Sequence, residues 1–261
     1  MSLFAFSDGT IEELHSAVAR FWWGSTDTHR KIHWMRWDKL CEPKEMGGMG
    51  FRDLRVFNQT LLAKQVWRLL INPSSLAARV LKARYFRHDS VLDARLGYDP
   101  SYTWRSLWGA KALLREGLKW RVGDGHQINV WQDAWLPGEN ASRVPTPIGD
   151  VNLNMKVEEL IDHAEMRWRE DVVRGIMRDE DVEEVLSLTL SKRRPCDMLY
   201  WWPNNKGYYS VKSGYKLGKG VYNAHGDQLW RKLWTLKIPP KLAHFTWRAS
   251  MDVLPVRENL F

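Results

Sequence analysis

The sequence predicts an α+β protein, mainly helical with short β-hairpins, on three observations. Apolar residues recur at helical spacing over long stretches, most clearly 53–71. Short aromatic and β-branched runs flank turn residues at 118–131 and 197–211, as hairpins do. No apolar run approaches the ~20 residues needed to cross a bilayer. At 261 residues the chain has room for one large domain or two smaller ones.

The elements follow in order. Ile11, Leu14, Val18 and Phe21 mark a helix over 11–23, with Thr10 and Glu13 as a capping box and Gly24 as its stop. Residues 42–50 (EPKEMGGMG) form a turn-rich stretch. It lacks the G-x-x-x-x-G-K-[ST] spacing and a preceding strand, so it reads as a structural loop rather than a phosphate cradle. Over 53–71, Leu54, Phe57, Leu61, Leu62, Val66 and Leu69 share one helix face, and Asn72-Pro73 ends it. A helix over 74–86 combines apolar Leu76, Val80, Leu81 and Tyr85 with cationic Arg79, Lys82, Arg84 and, just beyond, Arg87. A third covers about 101–117 and closes at Gly117.

The pattern then changes to β. Lys119–Val122, a Gly123-Asp124-Gly125 turn and Ile128–Trp131 predict one hairpin, and 197–202 with 208–211 predict a second. Residues 137–150, rich in Pro, Gly, Asn and Ser, read as a linker. Mixed-charge helical blocks follow over 156–190. Shorter helices are expected from Ser213, over 229–236, and from Lys241 after Pro239-Pro240.

Composition narrows the function classes. The net charge of +8 favours polyanionic partners, because cations on phosphates release condensed counterions. Sixteen Trp are present, many beside cations, as in Trp67-Arg68, Trp104-Arg105, Lys119-Trp120-Arg121 and Trp247-Arg248. Such pairs serve either to stack bases beside phosphates or to fill a core while the cation reaches water. Two cysteines offer no disulfide framework and suit a reducing, intracellular compartment. The N-terminus has no basic, apolar secretory signal.

No catalytic constellation is legible. There is no Gly-x-Ser-x-Gly elbow, no His-Glu-x-x-His and no Asp-Asp pair of the kind polymerases use for two metals. Cys41 has His33 eight residues away but no second cysteine nearby, Cys196 has no adjacent base, and the eight His are scattered. The expectation is no cofactor and no metal.

Several phrases nonetheless occur in a specific order. They are Phe21-Trp22-Trp23-Gly24, Ile32-His33-Trp34, Cys41-Glu42-Pro43-Lys44, Gly47-Gly48-Met49-Gly50-Phe51-Arg52-Asp53-Leu54, residues 61–68 (LLAKQVWR) and 78–86 (ARVLKARYF). Residues 101–106 (SYTWRS), 120–125 (WRVGDG) and 131–137 (WQDAWLP) continue the series, and so do 207–215 (GYYSVKSGY), 234–245 (WTLKIPPKLAHF) and 254–260 (LPVRENL). From Phe21 onward this resembles plant LINE-type (non-LTR) retrotransposon reverse transcriptases, from the region after the polymerase palm into the reverse transcriptase zinc-binding domain.

The resemblance implies a thumb-like, connecting region over 1–137 and the front of the zinc-binding-type module over 151–261. The family's polymerase aspartates would lie upstream, and its zinc ligands would follow 257–260 (RENL). A non-catalytic fragment is therefore expected. It also implies contact with RNA or an RNA/DNA hybrid, and with the remainder of the polyprotein. Arg79, Lys82, Arg84, Arg87, Lys119 and Arg121 are the candidate phosphate contacts, and Trp104 and Trp120 the candidates for base stacking, with burial as the competing reading. Two alternatives stand beside it: a degenerate remnant without a biochemical role, and a domain co-opted for protein contacts.

Overall fold

Among the described residues six helices begin at a side chain that accepts a backbone N–H of the first turn, so local polar chemistry sets much of the architecture. The caps are Ser7, Asp53, Ser75, Ser101, Ser210 and Asp227. The computed structural model describes residues 3–26, 28–138, 143–222 and 226–254. Among them the order is α1 (Asp8–Trp23), α2 (Trp37–Leu40), α3 (Leu54–Ile71), α4 (Leu76–Tyr85), α5 (Tyr102–Gly109), α6 (Lys111–Gly117) and β1 (Leu118–Arg121). Then come β2 (Ile161–Asp162), β3 (Arg167–Trp168), α7 (Glu170–Ile176), α8 (Asp179–Ser187), β4 (Met198–Trp201), α9 (Val211–Gly218), α10 (Gln228–Thr235) and α11 (Pro240–Ser250). The mainly helical α+β class holds, with two short two-stranded antiparallel sheets.

Several expectations change, among them the helical reading of 156–190, which the β2–β3 pair interrupts at 161–168. Ser7, not Thr10, caps α1, and its hydroxyl accepts the Thr10 N–H; Gly24 stops the helix as expected, at φ 71°. The stretch 101–117 is two helices, because the chain turns at Ala110. The first hairpin does not form. β1 pairs with β4, Leu118 opposite Trp201 and Arg121 opposite Met198, while 128–131 contributes only a bridge from Asn129 to Lys156. The second predicted hairpin likewise supplies one strand, β4, whose partner is β1. The only hairpin among the described residues is the small β2–β3 pair.

α3 is the central element, in contact with α1, α4, α5, α6 and α9. Around it lies the first apolar core, with Leu62, Val66, Trp104, Leu114 and Trp201 fully buried. A second core joins Ile128–Leu136 to Val157–Val185. A third joins α1 to α10 and α11 through Trp23, Leu40, Leu233 and Trp247. Within 137–150, of which 139–142 lie outside the described residues, the described part is bonded to later elements. The Thr146 N–H donates to Asp181 Oδ2 at 2.7 Å, and the Ile148 N–H to the Ile176 carbonyl at 2.9 Å. The Arg143 guanidinium pairs with Asp181 and Glu184. Residues 143–148 are thereby tied to α7 and α8.

The ordered phrases of the sequence are points of close approach. A Cβ on Gly48 would sit 2.1 Å from the Glu42 carbonyl oxygen, and Gly47 adopts φ +88° while its carbonyl accepts the Trp247 indole N–H at 2.8 Å. In 207–215, the Tyr209 hydroxyl donates to the Thr60 carbonyl at 2.9 Å and lies where a Cβ on Gly214 would be. Ser213 Oγ accepts the Trp201 indole N–H at 2.9 Å, and the Tyr215 hydroxyl accepts the Asp53 N–H at 2.9 Å. Together these contacts dock α9 on α3.

Candidate nucleic-acid interface

Helix α4 carries the best-exposed cluster of cations proposed from the sequence. Ser75 caps its start, and Ala78 is its one buried residue, so most of the helix surface faces solvent. Arg79, Lys82, Arg84 and Arg87 are all exposed. None of the four belongs to an ion pair among the described residues, although eleven such pairs occur elsewhere. Arg87 Nε donates to the Ala83 carbonyl at 2.6 Å, and the Arg84 guanidinium lies 5.3 Å from the Tyr85 ring centroid. Three cations on one short helix and a fourth two residues past its end thus face solvent without carboxylate partners among the described residues, a charge pattern of the kind that favours polyanions.

Two of the sequence candidates are buried. Trp104 is fully buried, stacked on Tyr85 (centroids 4.7 Å, planes 4° apart), and its indole N–H donates to the Leu96 carbonyl at 3.2 Å. No base can reach it. Lys119 is 2% exposed, with Nζ donating to the Gly138 carbonyl at 3.3 Å. Burial depresses its pKa, with the Glu184 carboxylate opposing and Arg143 adding to the depression. A lysine enclosed in this way does not present its ammonium to phosphate. Strand alternation sends Trp120 to the face opposite Lys119 and Arg121. Arg121 is exposed, with its guanidinium 5.4 Å from the Tyr200 ring centroid.

The tryptophans as a class are core residues. Eight of the sixteen are buried, and Trp108, at 38%, is the one that counts as exposed. The cations beside them, such as Arg68, Arg105, Arg167 and Arg169, face solvent. The pairing read in the sequence is therefore mainly a buried ring with a neighbour reaching water.

Half-buried Trp120 lines a cleft of about 750 Å³ together with Arg115, Gln127, Asp133 and Asp197. Three carboxylates, on Asp93, Asp133 and Asp197, face one cation, Arg115, so this cleft disfavours phosphate. Asp197 has a structural task there. Its Oδ1 accepts the N–H groups of Gly123 (2.7 Å) and Gly125 (3.0 Å), and its Oδ2 accepts that of Gln127 (2.9 Å). A smaller cavity of about 140 Å³ under α4, lined by Lys82 and Phe86, shares Leu70 and Ser90 with the cleft.

Among the described residues, no group of three or more His, Cys, Asp or Glu converges to hold a metal. Cys41 is buried and Cys196 exposed, and burial pushes the Cys41 thiol up to about 12. His244 lies edge-on between Trp22 and Trp234, and burial lowers its pKa. The 257–260 phrase lies outside the described residues. No helix among the described residues is long and apolar enough to cross a membrane.

One feature has no counterpart in the sequence reading. Between α3 and α9 lies a cleft of about 660 Å³, walled by Phe51, Phe57, Leu61, Val211, Tyr215 and Val221 and rimmed by Arg52, Lys212, Lys216 and Lys219. Lys212 and Lys216 stand four apart on α9, a spacing that puts both on one helix face. That hint was available, but the other wall comes from residues about 160 positions earlier.

The chain belongs to the same family as the uncharacterized mitochondrial protein AtMg00310 of Arabidopsis thaliana. The two are 44% identical over 153 residues, which is 58% of this chain and 96% of that protein. It is also similar, at 28% identity over 270 aligned positions, to an Arabidopsis thaliana protein named "Putative ribonuclease H protein At1g65750". The match covers 99% of this chain but 43% of that longer relative. No family model matches the chain, and no solved structure matches it.

Proposed function

We propose that this chain is a non-catalytic part of a retrotransposon-derived reverse transcriptase polyprotein and contacts RNA or an RNA/DNA hybrid through α4. The observation that carries the reading is the set of four exposed cations, Arg79, Lys82, Arg84 and Arg87, none in an ion pair among the described residues. Arg121 adds a fifth exposed cation. Similarity to a longer relative named for ribonuclease H supports a polyprotein origin. In this reading 1–137 corresponds to a thumb-like, connecting region and 151–261 to the front of a zinc-binding-type module, and chemistry resides in flanking domains. Binding through such a surface is sequence-tolerant, since phosphates carry the contact. The test is a fluorescence-anisotropy titration of labelled single-stranded RNA and an RNA/DNA hybrid at low ionic strength. Saturable binding of several unrelated sequences is expected, and no binding at low salt would remove the proposal.

A second reading, a surface that contacts protein, draws on Leu76 and Val80, 74% and 60% exposed on α4 itself, and on Phe21 at 85%. Capture of a partner that survives nuclease treatment and is lost in Leu76→Ser/Val80→Ser would favour it. A remnant without a role predicts aggregation, and a cooperative thermal transition of the purified chain would count against that.

A further inference from the structure

We infer that the cleft between α3 and α9 takes one unstacked nucleotide of a single strand, its base among the apolar walls and its flanking phosphates on the cationic rim. The inference rests on the nucleic-acid reading above but uses a different surface. A base needs a flat apolar slot with aromatic edges, and Phe51, Phe57 and Tyr215 supply those among the lining residues. The volume of about 660 Å³ is within the range that holds a ligand of nucleotide size.

Charge selects the ligand. Four cations, Arg52, Lys212, Lys216 and Lys219, surround the opening against one lining carboxylate, Glu45. Lys219 is already engaged, with Nζ 3.4 Å from Asp53 Oδ2. Arg52, Lys212 and Lys216 are exposed and in no ion pair among the described residues. The Arg52 guanidinium lies 4.7 Å from the Phe57 ring centroid, placing a cation at the edge of the aromatic wall. Cations on both the α9 side and the Arg52 side match a residue with phosphate on either side, which a strand supplies and a free monophosphate does not. Tyr215 accepts the Asp53 N–H, which leaves its own hydroxyl hydrogen as a donor. Cys41, also in the lining, stays a neutral thiol and adds no charge.

The experiment uses the full chain and photo-cross-linking with a hexamer of 4-thiouridine, located by mass spectrometry, alongside titrations of that hexamer and of AMP. Adducts on residues 51–61 or 211–221 are expected. Lys212→Gln/Lys216→Gln should weaken the hexamer roughly tenfold or more, while the thermal midpoint of the variant reports its folding. AMP is expected to bind at least tenfold more weakly than the hexamer. Adducts confined to other segments, or a cleanly folded double variant with unchanged hexamer affinity, would overturn the inference. Oleate filling the cleft where the hexamer does not would do the same. The two proposals separate cleanly. If replacing the α4 cations abolishes hexamer binding and the cleft variant leaves it unchanged, the α4 reading stands and this one falls. If the variant lacking the α4 cations binds the hexamer with the parent affinity and the cleft adducts persist, the α4 reading falls and this one stands.

Discussion

The carboxylate of Asp197 accepts the backbone N–H of Gly123 at 2.7 Å, tying β4 to a loop 74 positions earlier. The same carboxylate takes the N–H groups of Gly125 and Gln127. Three donors on one buried acceptor explain why 120–125 (WRVGDG) forms a loop closed by distant chain rather than the turn of a hairpin. Removing the acceptor would leave three N–H groups without their partner. Asp197→Ala should cost about 3 kcal/mol, judged by the range for hydrogen bonds to charged groups. Urea unfolding measures it, and an unchanged midpoint would contradict this role.

The glycines of that loop make a separate prediction. A Cβ on Gly123 would stand 2.1 Å from the Pro195 carbonyl oxygen, which is backbone and has little freedom to yield. Gly123→Ala should destabilise by about 1–3 kcal/mol, the usual scale for forced overpacking. Gly9, with nothing within 4 Å and a place in the first turn of α1, is the control. Gly9→Ala should be neutral or stabilise by up to about 1 kcal/mol. Equal effects at the two sites would refute the packing account.

Much of the helical part was legible in the sequence because its causes are local. Asp53, Ser75 and Ser101 cap α3, α4 and α5 where helix starts were expected or within two residues of them, and Gly24 ends α1. The β pairing was not legible, because β1 and β4 are neighbours only after the chain between them has folded on itself. Of the candidate contacts, those on α4 stayed at the surface. Lys119 and Trp104 went inside, since a cation beside an aromatic ring says nothing about which side of the element faces water. The cleft between α3 and α9 escaped notice for the same reason as the sheet: its walls meet only in three dimensions.

Trp104 gives a test of core against contact. Its burial and its stacking on Tyr85 and Phe86 predict that Trp104→Ala costs about 3–5 kcal/mol. Under strongly native conditions the folded fraction of the variant should bind RNA with the parent affinity. Lost affinity without lost stability would make Trp104 a contact after all.

The buried Cys41 thiol should contribute a loss of stability as pH rises above about 9. Burial raises the Cys41 thiol from 9.0 to about 12, and burial likewise raises Tyr200, Tyr209 and Tyr215. Above the ordinary pKa the unfolded chain releases these protons while the folded chain retains them, so the folded state binds more protons and loses stability with pH. For Cys41 the loss runs between pH 9 and 12. Cys41→Ala should flatten the decline in that window, as followed by urea midpoints at successive pH values. At neutral pH a thiol reagent should titrate Cys196 readily in the native protein and reach Cys41 only after denaturation.

The most direct measurement is the salt dependence of RNA affinity for the parent chain and for Arg79→Ala/Lys82→Ala/Arg84→Ala/Arg87→Ala. Each phosphate contact contributes about −0.7 to −0.9 to the slope of log K against log salt. If α4 makes the contacts, the variant should bind more weakly and its slope should be shallower by about three. An unchanged slope in a variant that melts like the parent would contradict the central claim and place any phosphate contacts elsewhere on the molecule.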